Sequence, residues 1–144
     1  HGFHSDGRHD VQYYRFKDFL EPYGDDVKAR LAGMQGSLST RMGGAMRHAA
    51  SFLKQQPQSK KLLLMVSDGE PADIDERDPQ YLRHDTKQAV DELAAEGIHT
   101  YNLTLDSHAD DYVGRIFGPG GYTVLDHVQR LPERLPELFA NLTT

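Results

Sequence analysis

Seven residues leave this chain few choices of fold: Lys61-Leu62-Leu63-Leu64-Met65-Val66-Ser67, closed by Asp68-Gly69. The run is apolar without alternation, as in a strand covered on both faces, which is the habit of parallel sheets. It predicts the central strand of such a sheet. The residues that follow support this. Asp78-Pro79 supplies an N-cap and a first-turn proline, Ala89, Val90, Leu93 and Ala94 form an apolar stripe, and Gly97 ends the helix. Ile98 to Leu105 is β-branched and alternating, so strand, helix and strand make a crossover unit with a second parallel strand.

The remaining segments complete an α/β pattern. His1 to Ser5 and Val11 to Phe19 flank Asp6-Gly7 and predict a hairpin, with the aromatic and charged second arm as an antiparallel edge strand. Asp25 to Met34 predicts a short helix. A longer one follows from Thr40 to Gln56, on the stepping of Met42, Ala45, Met46, Ala49, Phe52 and Leu53, with Ser39 or Thr40 as its cap. Asp110 to Phe117 predicts a short helix, Tyr122 to Leu125 a further strand, and Pro132 to Leu142 a closing helix whose first turn Pro136 disturbs. The order is that of a Rossmann-like, doubly wound α/β fold with a mostly parallel sheet and an antiparallel edge strand. Such folds bind ligands beyond the carboxyl ends of the strands.

At 144 residues, the chain is long enough for one domain, taken as 1–144, with its own core. The net charge of -6, with no basic run, gives no reason to expect nucleic acid or an anionic membrane, so protein partners are expected. The longest apolar run, Leu62 to Val66, falls far short of the roughly 20 residues of a spanning helix, which predicts a water-soluble domain without membrane insertion. With no cysteine, disulfides, thiolate nucleophiles and Cys-type zinc sites are excluded, and a cytoplasmic location is expected. The first residue is His1 and the chain opens within a predicted strand, so an upstream segment is expected as well.

Oxygen groups at the strand ends are the candidates for chemistry. Thr40 at a helix start and Asp68 at the tip of the apolar strand could converge on a hard cation such as Mg²⁺, which takes few protein ligands and several waters. From spacing alone, a helix cap and a tight turn are the readier reading.

The segments Ser39-Thr40-Arg41-Met42-Gly43-Gly44-Ala45 and Ser67-Asp68-Gly69-Glu70-Pro71 resemble the second and third cation-site motifs of von Willebrand factor A domains. Gly2 to Arg8, Tyr13-Tyr14-Arg15, Glu70 to Asp78 and Ile116-Phe117-Gly118 resemble the C-terminal domain of the NorD and CbbO type. The resemblance implies an adaptor that works with MoxR-type AAA+ ATPases to activate either Rubisco or nitric oxide reductase. The domain itself would not be an enzyme. It also implies Thr40 as a hydroxyl ligand and Asp68 as a carboxylate or water-bridged ligand. A docking face at the carboxyl ends of the strands, including Ser39, Glu70, Asp73 and Asp106, is expected with them.

The chain departs from that family in having no Asp-x-Ser-x-Ser motif, and the family's first strand and helix are not found in it. Weak or absent Mg²⁺ retention is therefore expected, together with oligomerisation or strand exchange through an exposed sheet edge. His1, His4 and His9, beside Asp6 and Asp10, are expected to be solvent-facing rather than a zinc site. Asp73, Asp75, Glu76 and Asp78 lack the glycine and glutamate of an EF-hand and predict a solvated acidic loop. No nucleophile elbow, phosphate loop or dinucleotide fingerprint is present. Two alternatives stand beside the adaptor: a metal-assisted hydrolase using Asp68 with Asp106, Asp110 and Asp111, and a structural interaction domain with a dead cation site.

Overall fold

The computed structural model describes residues 1–6, 11–33, 41–72 and 78–143. Five strands and five helices follow in the order β1 (Gly2–Ser5), β2 (Val11–Tyr14), α1 (Asp25–Ala32), α2 (Met42–Lys54), β3 (Lys61–Ser67), α3 (Pro79–Ala95), β4 (Ile98–Thr104), α4 (Val113–Phe117), β5 (Tyr122–Val124) and α5 (Leu131–Thr143). The architecture is mixed α/β, with a parallel sheet flanked by helices, as the alternation of apolar strands and amphipathic helices predicts.

The parallel sheet has the order β3-β4-β5, with Lys61 opposite Ile98 and Ser67 opposite Thr104. Its middle strand is thus β4, buried at every position but His99. The sequence predicts the apolar run of β3 as central. Among the described residues it is an edge, because only β4 pairs with it. The hairpin is antiparallel, with Gly2 opposite Tyr14, but it forms a separate two-stranded sheet rather than the edge of the parallel one. β2 also ends earlier than predicted. Beyond Tyr14 the chain turns, and Arg15 closes the turn by donating to both carboxylate oxygens of Asp18 at 3.1 and 2.6 Å.

Alternation along β3 divides the core in two. Leu63 faces the layer of α2, α3 and α4, where Met42, Met46, Ala89, Val113 and Ile116 are buried with Met65. Leu62 and Leu64 face the opposite side with Tyr101 and Leu103, against the α5 leucines 131, 135, 138 and 142. Those leucines recur at steps of three and four, so one stripe of α5 covers that face. The helix continues through Pro136, which lies in its second turn.

Two helix starts show how local chemistry sets the elements. Asp78 caps α3 as predicted, accepting from the Gln80 N–H at 3.0 Å, with Pro79 at the first helical position. α2 is different. Its N-cap is Arg41, without a side-chain cap, rather than Ser39 or Thr40. A tertiary contact holds the backbone there, since the Arg41 N–H donates at 3.2 Å to the hydroxyl of Ser5, itself fully buried at the end of β1.

Candidate functional site at the carboxyl rim of the sheet

The chain leaves β3 through Asp68, Gly69 and Glu70, and leaves β4 through Leu105 and Asp106. Because Ser67 and Thr104 are in register, both exits lie on one rim. The Leu105 N–H donates to the Ser67 carbonyl at 2.9 Å and ties them together. Beneath the rim, the Ser67 hydroxyl donates at 3.1 Å to the side-chain carbonyl of buried Asn102. These contacts fix the strand ends, so the direction in which Asp68 leaves the sheet is set by the fold rather than by the loop.

Around the rim runs a chain of polar contacts joining β3, β4, α3 and the turn before α4. Arg83 of α3 donates its Nε–H to Glu70 at 2.8 Å, and its guanidinium lies 5.3 Å from the centre of the Tyr112 ring. The Tyr112 hydroxyl donates to Asp106 at 2.7 Å. Asp106 is held a second time by the His108 N–H at 2.9 Å, while its own N–H donates to the buried Thr104 hydroxyl at 3.1 Å. The carboxyl of Asp106 is kept below its ordinary pKa, first by the His108 backbone bond and also by the Tyr112 hydroxyl. The Tyr112 phenol is pushed well above its ordinary value, first by burial and then by its bond to Asp106.

Of the residues predicted to form the site, Asp68, Glu70 and Asp106 share this rim. Asp68 is exposed and has no hydrogen bond or ion pair among the described residues. Glu70 and Asp106 are not free surface carboxylates, because each is already held by a partner. Thr40, Ser39 and Asp73 lie outside the described residues, as do Asp75, Glu76 and His9. Asp68, Asp106, Asp110 and Asp111 are not gathered into one cluster. Among the described residues no three His, Asp or Glu side chains stand close enough to hold a metal ion. The one described member of the predicted cation pair is therefore a lone carboxylate, and no cation shell can be built from the described residues.

Of the histidines expected to face solvent, His1 does and His4 does so only in part. His1 is exposed but engaged, within 2.8 Å of the Tyr13 hydroxyl, and His4 is only partly exposed, with Nε2 3.0 Å from the Tyr14 hydroxyl. Tyrosines of the paired strand occupy these nitrogens. Sequence reasoning missed Arg83 and Tyr112. Tyr112 carried a usable signal. It falls on the apolar spacing of Ala109, Val113 and Ile116, and a buried tyrosine needs a partner for its hydroxyl, which the strand-end Asp106 supplies. No helix among the described residues is long and apolar enough to cross a membrane.

The chain is 39% identical over 142 residues to an uncharacterized protein of Pseudomonas aeruginosa, a match that covers 99% of this chain. It is 38% identical to Protein NorD of Brucella melitensis over 132 residues, 92% of this chain, and 38% identical to Protein NorD of Stutzerimonas stutzeri over 130 residues, 90% of it. It spans only 23%, 21% and 21% of the lengths of these three relatives. No family model matches the chain, and no solved structure matches it.

Proposed function

We propose that this chain is the docking domain of a NorD-like protein, a non-catalytic module of the von Willebrand factor A type that tethers a MoxR-type AAA+ ATPase to nitric oxide reductase on its cytoplasmic side. The observation that carries this reading is the similarity to NorD proteins over about nine-tenths of the chain. Those names favour the reductase over Rubisco as the target.

The rim adds physical support. A docking face gains affinity when its groups are held in place before the partner arrives, because less freedom is lost on binding. Glu70 and Asp106 are held by Arg83 and Tyr112, and on the same rim Asp68 is exposed and without a polar partner among the described residues. In this reading Asp68 and Thr40 provide oxygen groups toward Mg²⁺, and an acidic side chain of the partner completes the shell. The ion would contribute charge neutralisation between two carboxylates that otherwise repel. The residues of this chain orient and bind, and the ATPase supplies the chemistry.

Capture of the MoxR-type ATPase and of the reductase by the full-length protein tests this. Asp68→Ala is expected to weaken capture at least about tenfold, as a central interface carboxylate does, and chelation of Mg²⁺ to do the same. Capture untouched by both treatments would overturn the proposal.

A further inference from the structure

α3 and α4 pack against each other, and a hollow of about 140 Å³ lies between them. Buried Tyr112 and Ile116 supply its apolar lining. Its charged lining is basic throughout: Arg83, His84 and Lys87 come from α3 and Arg115 from α4. No Asp or Glu lines it among the described residues, although acidic side chains outnumber Lys and Arg by 22 to 16 over the whole chain. We propose that this hollow is an oxyanion site that takes one phosphoryl group, as free phosphate or as a phosphomonoester.

Two elements build the site together. Gln80, Arg83, His84 and Lys87 stand at i, i+3, i+4 and i+7, which puts them on one face of α3. Arg115, in the last turn of α4, joins that face because the two helices are packed. Existing pairings leave donors over. Glu70 engages Nε and one terminal nitrogen of Arg83, at 2.8 and 2.7 Å, and the other terminal nitrogen has no hydrogen bond among the described residues. The same contacts, with the Tyr112 ring 5.3 Å from the guanidinium, hold Arg83 in place before any ligand arrives, so less freedom is lost on binding. Lys87 pairs with Asp91 one turn along at 2.8 Å, both side chains being about half exposed or more, and such a surface pair is weak enough to share its cation. Arg115 and His84 have no ion pair or side-chain hydrogen bond among the described residues.

The class of ligand follows from size and from the number of donors. A hollow of about 140 Å³ is well below the roughly 300–1,000 Å³ of sites that enclose an organic ligand, so a nucleotide base or sugar would stay outside it. It suits one compact anion. A carboxylate has two oxygens in one plane and is satisfied by a single guanidinium fork. Here guanidinium, ammonium, imidazole and amide donors come from two helices, and a phosphoryl group offers three terminal oxygens to receive them. The planar fork of arginine matches such oxygens, and that of Arg115 is unoccupied among the described residues.

Phosphorus NMR titration of the full-length protein, at constant ionic strength, tests this with inorganic phosphate and N-acetylphosphoserine amide, and with N-acetylglutamate amide as a competitor. Both phosphoryl probes are expected to bind with dissociation constants on the order of 1 mM, and N-acetylglutamate amide at least about tenfold more weakly. Arg115→Gln should weaken phosphate binding at least about tenfold while the domain stays folded, because the side chain is exposed and supports no polar contact among the described residues. Arg130→Gln removes the same charge beside α5, on the opposite face of the sheet, and should leave the affinity within about twofold. A phosphoserine probe that binds about tenfold tighter than inorganic phosphate identifies a phosphorylated side chain as the source, and equal affinities identify free phosphate. No phosphate binding below about 10 mM, binding unchanged by Arg115→Gln, equal losses with Arg130→Gln, or displacement by N-acetylglutamate amide at equal concentration would each overturn the proposal. It stands apart from the docking function: capture of the ATPase unaffected by Asp68→Ala, with phosphate binding intact, would count against docking alone.

Discussion

At the residue scale, Asp106 and Tyr112 are the pair on which the rim turns. Asp106 accepts from the His108 N–H and from the Tyr112 hydroxyl, and Tyr112 in turn lies under the Arg83 guanidinium. The two acceptor bonds are unequal in their effect on the carboxyl, the backbone one being the larger. Tyr112→Phe should therefore raise the pKa of Asp106 only part of the way to its ordinary value, with the His108 N–H holding the rest. Removing a hydroxyl bonded to an ionised partner should also destabilise the fold by about 1.5 kcal/mol, read from urea unfolding. The sign with pH is fixed by the depressed carboxyl. Its contribution is fully present above the ordinary carboxylate range and fades as pH falls through the folded value. Carbon-detected titration of Asp106 checks both parts, and an Asp106 pKa unmoved by Tyr112→Phe would show that the hydroxyl bond is not made in solution. Asp68 was legible in sequence because a strand-like apolar run ends on it. The Glu70 and Arg83 pair was not, because its members lie 13 positions apart across a loop and only the docking of α3 brings them together.

Between elements, the packing of α2 against α3 depends on a glycine. A Cβ on Gly43 would meet a carboxylate oxygen of Asp85 at 2.5 Å and the Asp85 carbonyl at 3.2 Å. Asp85 cannot easily yield, because its other carboxylate oxygen accepts from Arg47 at 3.0 Å. A Cβ on Gly44, one position along, would find among the described residues only the Arg41 side chain, at 3.9 Å. Gly43→Ala should cost about 1–3 kcal/mol through overpacking, whereas Gly44→Ala should gain up to about 1 kcal/mol from helix propensity. Thermal unfolding of the two variants decides it, and equal effects would mean that the helices sit farther apart than described. The apolar stepping of α2 made its existence and buried face readable. Its starting residue was misread because Ser5, 36 positions upstream, takes the N–H that a local cap was expected to serve. Capping rules see only neighbours in sequence.

For the whole molecule, the sequence carried the α/β class through periodicity, and it read β3 as central in a sheet whose middle strand, among the described residues, is β4. An uninterrupted apolar strand announces that both its faces are covered, and β3 is indeed packed by α2 and α3 on one side and α5 on the other. Face burial says nothing about how many edges are paired, which is why β3 reads as central and yet, among the described residues, borders the parallel sheet. This has a consequence for the 144-residue chain in isolation. An apolar edge with unpaired backbone groups is a template for intermolecular pairing, and β3 has no proline to blunt it and no charge except Lys61 at its start. The isolated chain should therefore self-associate across the micromolar range, seen as a sedimentation coefficient that climbs with concentration. Val66→Lys places a charge at a half-exposed position of β3 without emptying the core, and should move the onset of association upward by about tenfold in concentration. A chain that sediments as a monomer throughout, with Val66→Lys indistinguishable from it, would mean that the β3 edge is already covered within these residues. A climb unaffected by Val66→Lys would place the sticky surface elsewhere, with the exposed Phe19 and Leu20 as the next residues to change.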